Sequence, residues 1–287
     1  MLFKLALEKF IENMVIIERS KATIGKYSQD LRTFQKYLEQ IHNGAVYLED
    51  IKVGDIESFL GMLKEEKNYS PVSRSRHLYT IRAFYKYAYK KEMVDRDISL
   101  SLDTIKLPKK ERDHLTEEEA VKLVETIRSP IVKLVVFFLL NTGLRISECL
   151  NLMIQDVNLD TKVIHVRMGK GAKDRSVPIN EKLHRELVDY IENWRDAGSS
   201  DKFFATNKTG SLSGVYVNAT IREAVDKLGW KKHVSCHVLR HTFASTLVKK
   251  NVGLVQIQKL LGHSSLAITS IYTHTNLDQL TEAVNVL

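Results

Sequence analysis

The period of its apolar residues constrains this chain more than anything else. Almost everywhere they recur at i, i+3, i+4 and i+7, the spacing of one helical face. Only "KVIHVRMGKGAKDRSVPI" (162–179) alternates with a period of two, with Ile164, Val166 and Met168 on one arm and Arg175, Val177 and Ile179 on the other. The glycines Gly169 and Gly171 lie between the arms, so this stretch reads as a β-hairpin. The expected class is mainly α with a small β-hairpin or sheet.

The helical signals fall into two groups. The first third predicts four helices, with Tyr27, Leu31, Phe34 and Leu38 in phase in the second and Ile56, Phe59, Leu60 and Leu63 in the third. In the fourth, Ser70 is placed to cap and Pro71 to open the helix. This fourth helix carries Arg74, Arg76, Arg82, Lys86, Lys90 and Lys91 interleaved with Tyr79, Tyr85, Tyr87 and Tyr89. Both a solvated face and a phosphate-contacting face fit that pattern. The passage "ISLSLDTIKLPKKERDHLT" (98–116) loses periodicity, contains Pro108 and the cations Lys109, Lys110 and Arg112, and reads as an exposed linker. Thr116 and Glu119 then form the capping-box pattern of a new helix. Beyond the hairpin, helices are expected at about 181–197, 213–228, 237–250, 254–261, 265–272 and 277–286. The expected division is a helical domain at 1–104, a basic linker at 105–113 and a second domain at 114–287.

No apolar run reaches membrane-spanning length, and "IVKLVVFFLL" (131–140) is interrupted by Lys133 and reads as a buried helix. The N-terminus lacks the pattern of a secretory signal. Two cysteines, Cys149 and Cys236, are too few for a disulfide framework, so a reducing cytoplasm is the simplest expectation. The net charge of +8 favours a nucleic-acid partner without establishing one.

Several polar residues stand where a simple core would not need them. In "SCHVLRHTFAS" (235–245), His237, Arg240 and His241 share one helical face, with Val238, Leu239, Phe243 and Leu247 around them. A cationic cluster against an apolar background looks for an anion. Arg145, in "NTGLRISECLNL", stands at a helix start, where backbone N–H groups also favour an anion. Lys170 projects from the glycine-flanked hairpin turn, and "LGHSSLAITSIYTH" carries His263 and Tyr272. Each residue alone has an ordinary role as a surface ion pair, a solvated lysine, a capping histidine or a packing tyrosine. A metal-dependent hydrolase using His237, His241 and His263 is a rival, but no Glu follows the first histidine and no acidic cluster suits magnesium.

Together, "TGLRISECLNL", "GKGAKDRSVPI", "HVLRHTFAS" and "LGHSSLAITSIYTH" resemble the motifs of the tyrosine recombinases, the phage integrase family, in that family's order. The resemblance covers essentially the whole chain, and its length and short tail look most like the Xer branch. It implies a helical-bundle N-terminal DNA-binding domain and an α+β catalytic domain. It also implies cleavage and rejoining of duplex DNA at a specific inverted-repeat site, through a 3′-phosphotyrosine, with neither cofactor nor metal. The Xer branch adds chromosome dimer resolution at a replication-terminus site. A mobile-element integrase, a type IB topoisomerase-like enzyme or a non-catalytic DNA-binding protein remain alternatives.

By the same resemblance, Arg145 and Arg240 clamp the scissile phosphate and Tyr272 is the nucleophile. His237 exchanges the tyrosine's proton, Lys170 is the general acid and His263 hydrogen-bonds the phosphate. Lys173 shares the turn with Lys170, but the glycine-flanked Lys170 aligns better. Glu148, one turn after Arg145, is expected to orient it or a neighbouring group. In the tail, Leu277, Leu280, Val284 and Leu287 form an amphipathic stripe. The resemblance makes it an exchange helix that docks on the next protomer, in a dimer on one site and a tetramer at synapsis. The alternative is packing against its own domain.

Overall fold

The computed structural model describes residues 1–108, 113–167, 174–195, 198 and 200–262. The chain divides into two compact units, Met1–Lys110 and Glu111–Leu287.

The first unit is built from α1 (Phe3–Ile16), α2 (Lys21–Ile41), α3 (Val53–Glu65) and α4 (Pro71–Lys90). Helices α2, α3 and α4 start where a nearby side chain accepts from a backbone N–H of the cap or first turn. Ser20 Oγ accepts from Thr23 N at 3.1 Å, the Asp55 carboxylate from Lys52 N at 2.8 Å, and Ser70 Oγ from Ser73 N at 3.2 Å. The buried faces follow the periodicity: Phe3, Leu7, Phe10 and Met14 on α1, then Leu31, Phe34 and Leu38 on α2. Ile56, Phe59 and Leu63 on α3 meet Leu78, Ile81 and Phe84 on α4. Each such side chain contributes about 1.5–3 kcal/mol when removed from water.

Helix α4 divides its basic and aromatic residues among different tasks. Arg76 forms a two-pronged pair with the buried Asp30 of α2, at 2.9 and 3.0 Å, and Thr80 adds a hydroxyl at 3.3 Å. Tyr85 lies wholly inside the core, and Tyr87 donates to Lys9 O at 3.1 Å. Arg82 donates to Leu102 O at 2.5 Å. Tyr79, Lys86, Tyr89 and Lys90 remain exposed. The helix is therefore not one uniformly solvated face. The segment read as a linker from residue 98 also behaves differently at its start. Ile98 and Leu102 are buried in this unit's core, because the apolar residues after α4 turn back onto it.

The second unit opens with α5 (Glu117–Thr126), whose Thr116–Glu119 capping box closes at 3.2 and 2.9 Å. Helix α6 (Pro130–Thr142) runs through the core, burying Val132, Leu134, Val135, Val136, Phe138 and Leu139 while Lys133 reaches solvent. It ends on Gly143 at φ +64°, and the short α7 (Ile146–Asn151) follows.

Strands β1 (Val157–Asn158), β2 (Val163–Val166) and β3 (Arg175–Pro178) form an antiparallel sheet in that order. Ile164 opposes Val177 and Val166 opposes Arg175, so the two hairpin arms pair as the alternation predicts. Strand β1 has no sequence signal of its own, since two residues cannot display a period. Helix α8 (Glu181–Asp189) ends earlier than expected and passes into a π-helical turn at Tyr190–Trp194. There Tyr190 is buried among Phe203 and Phe204, and its hydroxyl donates to Phe203 O at 2.9 Å. Helices α9 (Gly214–Lys227), α10 (Cys236–Lys249) and α11 (Leu254–Leu261) complete the described part. The expected helices at 265–272 and 277–286 lie outside it. No described helix is long and apolar enough to cross a membrane.

Candidate active site

The site is built around one carboxylate. Glu148, on the first turn of α7, has a side chain only 9% exposed. Its carboxylate accepts from Arg145 N at 2.8 Å, closing the start of the helix, and from Arg145 Nη1 at 2.7 Å. Arg175, the first residue of β3, adds a two-pronged contact at 3.2 and 2.8 Å. Arg240 Nη1 of α10 lies 3.9 Å away. Burial alone would push the Glu148 carboxyl up. The hydrogen bonds from Arg175 and Arg145 and the Arg175 charge override it and hold the group below the usual carboxylate range. Glu148 is therefore a fixed anion to which three arginines are referred.

Arg240 is held by helix ends as well. It is almost fully buried, and it donates from Nη1 to Gly143 O at 2.8 Å and from Nη2 to Leu261 O at 2.7 Å. Those carbonyls belong to the C-terminal turns of α6 and α11, which carry partial negative charge. Both turns close with left-handed glycines, Gly143 at φ +64° and Gly262 at φ +65°. A Cβ on Gly143 would sit 2.3 Å from Phe243 Cδ1, and one on Gly262 would sit 3.0 Å from Arg175 Nη1. The glycines thus permit both the chain reversal and the close approach of neighbouring side chains.

The expected site residues occupy unequal positions. Arg145 and Arg240 come together at Glu148; Arg145 is 41% exposed and open to a ligand, whereas Arg240 is enclosed. His237, at the start of α10, is exposed, with its ring centroid 4.4 Å from that of His241 in an edge-on arrangement. The shared face predicted for the two histidines and Arg240 is present but graded. His241 and Arg240 are buried and His237 reaches the surface. Lys170, His263 and Tyr272 lie outside the described residues, as do Lys173 and the tail bearing Leu277, Leu280, Val284 and Leu287. Described neighbours flank two of these stretches. The arms β2 and β3 bracket residues 168–173, and Gly262 at the end of α11 directly precedes His263.

Both arms of that hairpin are tethered by arginine. Arg167, just past β2, places Nε 2.8 Å from the Asp156 carboxylate in an ion pair. Arg175 holds the other arm through Glu148. Between α7 and the hairpin lies a cleft of about 410 Å³ lined by Arg145, Ser147, Glu148, Asn151, Asp156 and Arg167. Sequence reasoning took Arg175 only as an alternating strand residue. The signal that singles it out is an arginine in phase with the inward-facing Val177 and Ile179, which requires a buried carboxylate partner. Among the described residues no group of three or more His, Cys, Asp or Glu is arranged to hold a metal ion.

The chain has relatives among known proteins. Residues 113–279 match the model of the phage integrase family, and residues 7–92 match the phage integrase N-terminal SAM-like domain. The tyrosine recombinase XerA of Pyrococcus furiosus is 34% identical over 97% of this chain and 92% of its own length. The tyrosine recombinase XerC of Oceanobacillus iheyensis is 32% identical over 98% of this chain and 94% of its own. Among solved structures, that of the XerH site-specific recombinase bound to difH substrate superposes with a TM-score of 0.72 at 26% identity, covering 92% of this chain and 79% of that one. The chain belongs to the phage integrase family and is a tyrosine recombinase, an enzyme that cleaves and rejoins DNA through a tyrosine. Within that family nearly its whole length aligns with recombinases of the Xer type.

Proposed function

We propose that this recombinase acts at a specific inverted-repeat site in duplex DNA and resolves dimers of a circular chromosome in the cytoplasm. In this reading it binds as a dimer on one site and works as a tetramer when two sites pair, with the tail as the exchanged element. Near-complete alignment with XerC and XerA supports the assignment. The observation that carries it is the joining of Arg145 and Arg240 through Glu148 beside an exposed His237. The exposed planar fork of Arg145 suits phosphate oxygens, and the enclosed Arg240 adds fixed positive charge behind it, so that together they stabilise the charge that grows on a pentacoordinate phosphorane.

The chemistry follows residue by residue. The Tyr272 hydroxyl attacks the scissile phosphorus, and the bond to the 5′-oxygen breaks. A phenol with an unperturbed pKa near 10 needs its proton removed, and His237 accepts it. Lys170 protonates the departing 5′-oxygen, and His263 donates a hydrogen bond to the phosphate. The resulting 3′-phosphotyrosine conserves the energy of the phosphodiester, so the reverse sequence rejoins DNA without ATP.

Trapping covalent complexes on a genomic fragment library, then sequencing the attached DNA, tests the assignment. Adducts concentrated at one inverted repeat near the replication terminus support dimer resolution. Adducts at the ends of a mobile element transfer the function to integration. Adducts spread without sequence preference indicate a topoisomerase-like nicking activity.

A further inference from the structure

The arginine that no motif singled out carries an inference beyond the clamp itself. Arg175 has a side chain only 8% exposed. Nε donates to Leu260 O at 2.9 Å, Nη1 to Glu148 Oε1 at 3.2 Å and Nη2 to Glu148 Oε2 at 2.8 Å. Gly262 leaves just enough room for the guanidinium against the last turn of α11. One side chain thus ties together the hairpin arm leading from Lys170, the helix start bearing Arg145 and the turn preceding His263.

The charges give this position a consequence. Glu148 touches Arg145 and Arg175 and lies 3.9 Å from Arg240. With Arg175 present the cluster sums to +2, and without it to +1. A buried carboxylate deprived of its two-pronged partner would draw harder on the remaining arginines. We propose that Arg175 is a positioning residue of the recombination reaction: it occupies Glu148, so that Arg145 keeps its geometry, and Arg145 and Arg240 their positive field, for the scissile phosphate. This rests on the recombinase reading of Arg145 and Arg240. Arg175 does not touch the DNA; it acts through Glu148.

The test compares wild type, Arg175→Met, Arg175→Lys, Glu148→Gln and the Arg175→Met/Glu148→Gln double variant. The probe is a nicked suicide duplex carrying a site recovered by covalent trapping, made with either a normal scissile phosphate or an uncharged methylphosphonate. Arg175→Met is expected to slow adduct formation about 10- to 100-fold, the range of energies found for coupled neighbours. DNA affinity should change less than about twofold, since no phosphate contact is removed.

The methylphosphonate should largely erase the rate defect, because it asks less charge of the clamp. The double variant should be no slower than Arg175→Met alone. A defect equal on both substrates, or costs that multiply in the double variant, would reduce Arg175 to a structural anchor and overturn the proposal. If Arg175→Met melts below the assay temperature, Arg175→Lys decides: partial slowing with methylphosphonate rescue supports the proposal, and wild-type rates overturn it. A wild type that forms no adduct overturns the recombinase reading and this inference with it; a reactive wild type matched by Arg175→Met overturns the inference alone.

Discussion

Gly143→Ala tests the packing that holds Arg240. The glycine closes α6 at φ +64°, where a side chain costs roughly 1 kcal/mol. An added Cβ would lie 2.3 Å from Phe243 Cδ1, 2.8 Å from Phe243 Cε1 and 2.9 Å from Leu261 Cδ2. Those atoms belong to partly buried or buried side chains of α10 and α11, so relief requires movement of packed elements, at about 1–3 kcal/mol. The sum is about 2–4 kcal/mol. For the second unit, which spans Glu111–Leu287, that lowers Tm by about 4–16 °C. Gly143 O is also the acceptor of Arg240 Nη1 at 2.8 Å, so cleavage should fall even well below the melting temperature. Scanning calorimetry gives the stability, and adduct formation at 20 °C below the variant's Tm gives the activity. Gly25, exposed in α2 with nothing within 4 Å of an added Cβ, is the matched control and should gain about 0.5–1 kcal/mol on changing to Ala. A Gly143→Ala protein with unchanged Tm and normal cleavage would refute the close-packing argument.

Three further outcomes follow from separate parts of the molecule. Thr116→Ala removes the cap of α5 and should cost about 1 kcal/mol in urea denaturation without altering the m-value. His77 sits buried on α4, and burial, with help from Arg76 and Lys26, holds its pKa below the usual imidazole value despite Asp30. The unfolded chain therefore takes up this proton first as pH falls below about 6.5, and the first unit loses stability in that window. His77→Gln should flatten the slope of unfolding free energy between about pH 6.5 and 5.5, and an unchanged slope would assign it to other groups. Lys170→Ala should slow cleavage of a normal 5′-oxygen leaving group far more than of a 5′-thiolate, which needs no proton. Equal defects would pass the acid role to Lys173.

Local chemistry was legible in the sequence wherever one element sufficed. The four helices of the first unit, the core helix α6, the pairing arms β2 and β3, and the caps at Ser70 and Thr116 all follow from periodicity or from residues within one turn. What escaped depends on partners far away along the chain. Asp30 and Arg76 are 46 residues apart, and Glu148 and Arg175 are 27 apart. Neither pair has a spacing rule, so Arg76 looked like one more surface cation and Arg175 like one more strand position. Tyr85 is a related case. It belongs to an apparent tyrosine series, yet its phase with Leu78 and Ile81 puts it in the core. In the site, the order of motifs pointed to Arg145, His237 and Arg240. The grading of their exposure, with His237 open and Arg240 sealed beneath two helix ends, is set by tertiary packing alone.

Tyr272 is expected to become covalently joined to DNA while Arg145 and Arg240, joined through Glu148, stabilise the phosphate. The most direct measurement is denaturing-gel detection of a protein–DNA adduct on a nicked suicide substrate, with the attached peptide mapped by mass spectrometry. The account predicts an adduct on the peptide containing Tyr272 in the wild type, and none in Tyr272→Phe, whose DNA affinity stays nearly the same because only the attacking oxygen is lost. An adduct that persists in Tyr272→Phe, or that maps to the exposed Tyr216 on the first turn of α9, would contradict it.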